Sequence, residues 1–244
     1  MALLHSIPLY FFAISLVSVA CLLWSVRRAA ARGLSRDLTL DVGLAMMVFG
    51  FLGGRALHVA YEEPLFYWAH PLKVLDFWQG GFVFDGGAIA AIGAGAAVVR
   101  WRGERFAKWA DFFSPIGALA YALGRVACWL TGCCYGRVCR LDSGYTFRFP
   151  TQLLAVATEL LTLAALLAFE RRRHARSRPG TEFALWAFLH ALGRIAMEAF
   201  RDDDRGPQPL HLSLATWISL GLLVGAVGWY LSFSRRKLQA RDRP

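Results

Sequence analysis

The chain has 244 residues, of which 57% are hydrophobic and 18% are charged, and its formal net charge is +10. Soluble domains average about 45–50% apolar and about 25% charged residues, so these proportions argue against an ordinary cytosolic enzyme, a disordered chain and a secreted disulfide scaffold. They are typical of a membrane protein, because six or seven spans of roughly 20 residues fit this length and leave only short loops.

Seven apolar stretches follow one another along the chain, and we predict that each forms a membrane-spanning helix. They cover residues 7–26, 40–60, 82–99, 112–130, 153–169, 183–200 and 212–233. The first stretch is not expected to be a cleaved signal peptide, because positive charges follow it rather than precede it. The sequence therefore predicts an all-α, polytopic fold with a single integral membrane domain over residues 1–244.

The positive charges predict the orientation of these spans. Of the 27 Lys and Arg residues, 18 fall in loops on one side of the predicted membrane and 6 on the other, while 3 lie inside spans. Cytoplasmic loops carry such an excess, so the N-terminus is predicted outside and the C-terminus in the cytoplasm. This bias explains the net charge without a nucleic-acid partner, for which the chain has no basic module with interleaved aromatic residues.

Ionisable residues inside the hydrocarbon cost about 2.5–3.5 kcal/mol or more each, so each is a functional candidate by default. On the predicted topology they gather in the outer half of the membrane, with Glu159 nearer the middle. The outer group comprises Arg55, His58, Asp85, Arg125, Arg194 and Glu198. Snorkelling arginines or a local Arg194–Glu198 pair would explain individual residues, but snorkelling predicts scatter over both faces. Because guanidinium groups bind phosphate oxygens bidentately, we expect a phosphate-bearing amphiphile of the outer leaflet as the ligand.

Short motifs that contain these residues run in order through most of the chain, and those around the end of the fourth span are the most specific. They are Tyr10, Gly54-Arg55, Asp85-Gly86-Gly87, Gly124-Arg125-Val126-Ala127-Cys128, Thr131-Gly132-Cys133-Cys134-Tyr135-Gly136-Arg137, Pro150-Thr151-Gln152-Leu153, and Gly193-Arg194 with Glu198 and Phe200-Arg201. As an ordered set, they resemble the prolipoprotein diacylglyceryl transferase family.

The resemblance implies a seven-span enzyme of the bacterial inner membrane. Such an enzyme moves the diacylglyceryl group of phosphatidylglycerol onto the lipobox cysteine thiol of a prolipoprotein and releases glycerol phosphate. The implied partners are phosphatidylglycerol, prolipoprotein signal peptides and membrane lipid, and we expect no cofactor.

The resemblance and the chemistry together suggest a role for each candidate residue. Arg125 and Arg194 are expected to hold the phosphate and to stabilise its charge as the glycerol C–O bond breaks. Asp85 is the candidate base for the acceptor thiol, or the group that orients that base, and Glu198 is expected to orient Arg194. The predicted substrate-binding residues are Tyr10 at the headgroup, Gly136 in a tight loop at the cavity mouth, Arg55, Cys128 and Gln152.

Some positions depart from the family pattern. Asp85 stands where the best-known members have His, Cys128 stands where they have Asn, and Leu154-Ala155 replaces the usual Tyr-Glu. These departures leave open a catalytically altered paralogue that binds phospholipid or a lipoprotein signal without transferring anything. A transporter is less favoured, because the polar groups stop at one leaflet.

Four of the five cysteines fall close together in the sequence, at the end of the fourth span: Cys128, Cys133, Cys134 and Cys139. Cys21 is expected to pack inside the first span. The spacing of the four is not a common zinc pattern, so we expect no metal site, whereas an outer compartment permits disulfides. A membrane redox protein that uses this cluster is a further alternative.

Overall fold

A computed structural model of the chain describes residues 2–142, 144–172, 178–202 and 209–241, with side chains described for residues 9–231 of these ranges. The described chain is mostly helical, which confirms the all-α class. Its helices are α1 (Ala2–Ala31), α2 (Arg36–Leu57), α3 (Pro64–Ala69), α4 (Phe84–Trp101), α5 (Phe106–Thr131), α6 (Thr151–Arg172), α7 (Thr181–Glu198) and α8 (Leu214–Arg241).

Within the described ranges, five helical segments are long and apolar enough to cross a membrane, so the chain is a multi-pass membrane protein. They are Leu9–Ala31, Arg36–Glu62, Phe106–Thr131, Thr151–Arg172 and Leu214–Leu231. The two remaining predicted spans correspond to α4 and α7, which have 18 residues each. Their apolar signal is weaker, because α4 consists largely of Gly and Ala and α7 carries three charged residues.

Helices α2 and α4 pack against each other through glycines. A Cβ atom on Gly53 would lie 2.3 Å from the Cβ of Ala90 and 2.6 Å from the carbonyl oxygen of Gly86. A Cβ atom on Gly86 would lie 2.4 Å from the Cβ of Leu57. Small residues let the backbones of membrane helices approach this closely. The contact brings Arg55 on α2 to the same end of the bundle as the start of α4.

Buried polar contacts join the helices at the end of the bundle where α5 begins, which we call the opposite end. The carboxylate of Asp111 on α5 accepts hydrogen bonds from the backbone N–H groups of Gly180 at 2.8 Å and Phe183 at 2.9 Å, and so caps the start of α7. Arg28 on α1 donates to Glu170 on α6 at 2.8 Å. These contacts were not predicted from the sequence, because the partners are remote in the chain.

At the other end, which we call the site end, two long connections leave the bundle. Between α2 and α4 lie a π-helical turn (His58–Glu62), α3 and two short 3-10 turns. Between α5 and α6, strands β1 (Val138–Arg140) and β2 (Thr146–Arg148) form an antiparallel hairpin in which Cys139 lies opposite Phe147. Trp68 is 90% exposed and Trp78 is 68% exposed in the first connection, a placement typical of aromatic residues at a membrane–water interface.

Candidate active site

Helix α5 holds a buried arginine, Arg125, on the face of a tyrosine one turn earlier. The side chain is 8% exposed, and the guanidinium carbon lies 4.7 Å from the centroid of the Tyr121 ring. The ion pairs of the described residues do not include Arg125. A buried guanidinium without a carboxylate partner is suited to bind an anionic ligand, because a charge in this setting needs a counter-charge.

A second buried arginine, Arg194 on α7, lines a small cavity together with Tyr121, Glu159 and His190. Arg194 is 6% exposed. Its Nη1 atom and the Tyr121 hydroxyl are buried and have no hydrogen-bond partner among the described atoms. Buried polar groups are nearly always satisfied in folded proteins, so these two atoms mark a place where a polar ligand or water completes the structure.

The floor of this cavity is a buried His–Glu pair. The Nδ1 atom of His190 lies 2.5 Å from Oε1 of Glu159 on α6. The His190 ring meets Tyr121 edge-on at 4.8 Å and stacks on Trp186 at 5.2 Å. Glu159 was predicted near mid-membrane, whereas His190 was not predicted. The one sequence signal for it is its position four residues before Arg194, on the same face of α7.

Arg55 contacts its own loop. Its Nε donates to the carbonyl of Val74 at 3.0 Å, its Nη1 to that of Gly80 at 2.7 Å, and its Nη2 to that of Lys73 at 2.8 Å. The guanidinium also lies over the ring of Tyr67 at 5.2 Å. These contacts engage every nitrogen of the guanidinium, so Arg55 anchors the connection between α2 and α4 to the helix bundle.

The two carboxylates predicted at the site lie at the start of α4 and at the end of α7. Asp85 lies half-buried in the first turn of α4, and the hydrogen bonds and ion pairs of the described residues do not include it. Its neighbour Phe84 meets Tyr121 edge-on at 4.9 Å, which places the start of α4 beside the arginine site on α5. Glu198 ends α7, and within the described residues it forms no ion pair with Arg194.

Three of the four clustered cysteines come together at the end of α5. The Sγ atoms of Cys128, Cys133 and Cys134 all lie within 4.8 Å of one another. The chain turns back because Gly132 has φ of 71° and Cys134 has φ of 57°, both in the left-handed region. Cys139 lies in β1, outside the cluster. We call Cys128, Cys133 and Cys134 the thiol cluster.

The first turn of α6 holds the thiol cluster in place. Thr151 Oγ1 donates to the carbonyl oxygen of Cys134 at 2.9 Å, and Gln152 Nε2 donates to that of Cys133 at 2.6 Å. Both side chains are buried. The thiols also affect one another: hydrogen bonds from the neighbouring thiols Cys128 and Cys133 lower the pKa of Cys134, burial opposes this shift, and the positive charges of nearby arginines support it.

Tyr10 and Gly136 border the same region. Tyr10 on α1 lies within electrostatic range of the thiol cluster and of Arg125. A Cβ atom on Gly136 would lie 2.4 Å from the carbonyl oxygen of Phe149 and 2.8 Å from that of Phe200. Glycine is therefore required where the loop after α5 passes between the start of α6 and the end of α7.

The fold and these side chains define a class: a multi-pass membrane protein with buried arginines beside a thiol cluster at one end of its helix bundle. A family model described as prolipoprotein diacylglyceryl transferase matches residues 1–232. The chain belongs to this family, and the resemblance found in the sequence motifs is confirmed.

Relatives in several bacteria support the assignment over most of the chain. A protein of Geobacter sulfurreducens named phosphatidylglycerol–prolipoprotein diacylglyceryl transferase is 33% identical over 221 residues, which is 85% of this chain and 79% of the relative. Proteins of the same name in Cupriavidus pinatubonensis and Gluconacetobacter diazotrophicus are 31% and 29% identical. These matches cover 88% and 89% of this chain, and 81% and 83% of the respective relatives.

Proposed function

We propose that the chain transfers the diacylglyceryl group of phosphatidylglycerol to the cysteine thiol of a prolipoprotein. The observation that carries the proposal is the pair of buried guanidinium groups, Arg125 and Arg194, which both contact or adjoin Tyr121 and have no carboxylate partner among the described residues. Family membership and the names of the relatives support the same reaction.

In this reaction the acceptor thiol loses its proton, and the thiolate sulfur attacks the glycerol carbon that bears the phosphate. The C–O bond breaks, its electron pair stays on the phosphate oxygen, and the products are a thioether and glycerol phosphate. Negative charge therefore builds up on the phosphate as the bond breaks. Arg125 and Arg194 stabilise this charge inside a poorly solvated site, where preorganised donors act most strongly.

Other residues position these two arginines. Tyr121 supports the guanidinium of Arg125 with one face of its ring, while the pair of His190 and Glu159 packs against the ring. A ring fixed from two sides limits the movement of Arg125. Glu198 is proposed to orient Arg194 when the lipid is bound.

The remaining predicted site residues act at the rim of the site. Tyr10 hydrogen-bonds the lipid headgroup, and Asp85 receives the thiol proton. Gln152 holds the backbone of the thiol cluster through its hydrogen bond to Cys133, and it affects the substrates through that cluster. Arg55 has a revised role in this proposal: it holds the loop over the site rather than the phosphate, because the loop carbonyls already engage its three nitrogens.

We further propose that α4 and α7 also cross the membrane, which gives the seven predicted spans, with the N-terminus outside and the C-terminus in the cytoplasm of a bacterial cell. Helix α4 lies along α2, from the contact of Gly53 with Gly86 to that of Gly95 with Val42 and Met46. A helix so paired with a spanning segment crosses with it. The excess of positive charge in the loops at the opposite end supports a site end at the outer leaflet, where a lipid and a prolipoprotein meet.

An apolar cavity deeper in the bundle is suited to an acyl chain of the lipid. It lies between α2, α4, α5 and α7, with Met46, Gly95, Trp109 and Trp186 in its lining. Cavities with apolar linings bind hydrocarbon rather than water. A chain in this cavity would anchor the lipid while its headgroup reaches the arginines.

Complementation tests the proposed function. A bacterial host is depleted of its own transferase, this chain is expressed from a plasmid, and the thioether lipid on a reporter lipoprotein is measured. We expect growth and labelled reporter with the native chain, and neither with an Arg125→Ala variant that inserts equally well. A well-expressed native chain that co-purifies with phosphatidylglycerol but never labels the reporter would instead identify a lipid-binding paralogue.

A further inference from the structure

We propose that the thiol cluster binds a zinc ion through Cys128, Cys133 and Cys134, and that the fourth coordination position is open for the acceptor cysteine of the prolipoprotein. The assignment of that fourth ligand rests on the proposed transferase function. The metal site itself rests on the geometry of the chain.

The three sulfur atoms are close to the spacing that zinc requires. Tetrahedral zinc binds thiolate sulfur at about 2.3 Å, which places two such sulfurs about 3.8 Å apart. The Sγ atoms of the cluster already lie within 4.8 Å of one another. The remaining gap is at most about 1 Å.

The backbone around the cluster is preorganised. Cys134 holds a left-handed conformation, which costs free energy in a residue with a side chain and is typical of functional sites. The carbonyl groups of Cys133 and Cys134 accept hydrogen bonds from Gln152 and Thr151, two buried side chains on a different helix. Such outer contacts orient the ligands of metal sites in proteins, and in this chain they fix the turn that carries two of the three thiols.

The number of thiols favours a site with an open position. Structural zinc sites have four protein ligands, whereas catalytic sites have three and keep the fourth position for water or substrate. Of the two remaining cysteines, Cys139 lies in β1 and Cys21 in α1, packed in the core with Val42 and Trp109. The described cysteines therefore supply three ligands.

The positive charges around the thiol cluster are suited to a zinc–thiolate site, which is negatively charged. Zinc with three thiolates carries one net negative charge, and a bound acceptor thiolate adds a second. The guanidinium groups of Arg125 and Arg201 lie within electrostatic range of Cys134 and offset this charge. The same Arg125 is proposed to bind the lipid phosphate, so a thiolate on the metal would lie near the carbon that it attacks.

Zinc would supply what the transfer reaction needs from its acceptor. An ordinary carboxylate is a base about four pKa units too weak to ionise a free thiol. A thiol bound to zinc is deprotonated outright, so a carboxylate such as Asp85 or water is then sufficient to receive the proton. The acceptor sulfur held there would form the new C–S bond, the C–O bond electrons would leave with glycerol phosphate, and no change of oxidation state would be needed.

Metal binding is tested on the purified full-length chain in detergent, stripped of metal and titrated with Zn²⁺ against a chromophoric chelator. We expect one zinc per chain. The Cys133→Ser variant should bind at least about 100-fold more weakly, while Cys21→Ser and Cys139→Ser, the matched controls, should bind as the native chain does. Failure of the native chain to bind zinc, or equal affinity in Cys133→Ser, would overturn the site.

Cobalt substitution tests the open position without any cysteine variant. Co²⁺ in the native chain should give a thiolate-to-cobalt charge-transfer band with the intensity of three bound sulfurs. A peptide with a lipobox cysteine should raise the intensity of this band toward the value for four bound sulfurs. A serine version of the peptide should leave the band unchanged. An unchanged band with the cysteine peptide would overturn the proposed acceptor ligand.

Transfer assays then separate this inference from the proposed function. Transfer at an undiminished rate by zinc-free protein would overturn the role of zinc and leave the transferase standing. Stoichiometric zinc in a chain that transfers nothing would overturn the transferase and its acceptor ligand, and leave the metal site standing.

Discussion

Replacement of Arg125 should reduce the rate of transfer more than the binding of lipid. The guanidinium is 8% exposed and is supported by the Tyr121 ring at 4.7 Å. Each hydrogen bond from a charged donor to the phosphate contributes about 1.5–3 kcal/mol, and the ring contact contributes about 0.5–2 kcal/mol. Arg125→Lys keeps the charge but loses one hydrogen bond and the stacking, together about 2–5 kcal/mol, so kcat should fall about 30-fold or more. Arg125→Ala loses the charge as well and should cost at least about 10²–10³-fold.

The measurement uses purified protein in vesicles that contain phosphatidylglycerol, with a reporter prolipoprotein as acceptor, and determines kcat and KM for the lipid. Arg148→Lys is the matched control, because Arg148 also stacks on a tyrosine, Tyr135 at 4.1 Å, but is exposed on β2. It should behave as the native chain does. If Arg125→Ala retains kcat within about tenfold of the native value, the role of Arg125 in stabilising the phosphate charge is refuted.

Four further substitutions test other parts of the site. Asp85→Asn should lower the transfer rate, and an undiminished rate would assign the proton to another group. Glu159→Leu should lower the melting temperature through a loss of about 1–3 kcal/mol, because it leaves His190 without its buried partner; an equal melting temperature would contradict this. Arg55→Lys should speed proteolysis within residues 64–81, and an unchanged digestion pattern would argue against its loop contacts. Gly136→Ala should cost about 1–3 kcal/mol through its clash with two carbonyl oxygens, which unaltered thermal stability would disprove.

Much of the fold was predictable, because a membrane helix is encoded in one continuous apolar segment. The runs at 7–26 and 153–169 lie within α1 and α6, and the run at 112–130 lies within α5. The weaker signal of α4 has a physical reason. It packs on α2 through glycines and alanines, so its composition reflects close packing rather than exposure to lipid.

Contacts between distant segments were not predictable in the same way. Arg55 and Arg125 both follow a glycine in the sequence, yet Arg55 donates to loop carbonyls while Arg125 lies on a tyrosine ring. Main-chain carbonyls have no sequence signature, so the acceptors of Arg55 cannot be deduced from it. Likewise, the pairing of His190 with Glu159 depends on how α6 and α7 are rotated about their axes.

The cysteines include one feature that the sequence predicts and one that it does not. Their neighbourhood at the end of α5 was evident in the sequence, but their spacing gave no reason to expect a metal site. The left-handed turn at Gly132 brings Cys133 and Cys134 back toward Cys128, and after the left-handed Cys134 the chain carries Cys139 away into the hairpin. The positions of the thiols follow from backbone geometry, which spacing alone does not specify.

The mass of a reporter prolipoprotein tests the central claim most directly. The purified chain is placed in vesicles whose phosphatidylglycerol has defined acyl chains, and the reporter is analysed by intact and peptide mass spectrometry. The account predicts the mass of that diacylglyceryl group on the lipobox cysteine, together with an equal amount of glycerol phosphate, and neither product with Arg125→Ala. A folded native chain that leaves the reporter cysteine unmodified would contradict it.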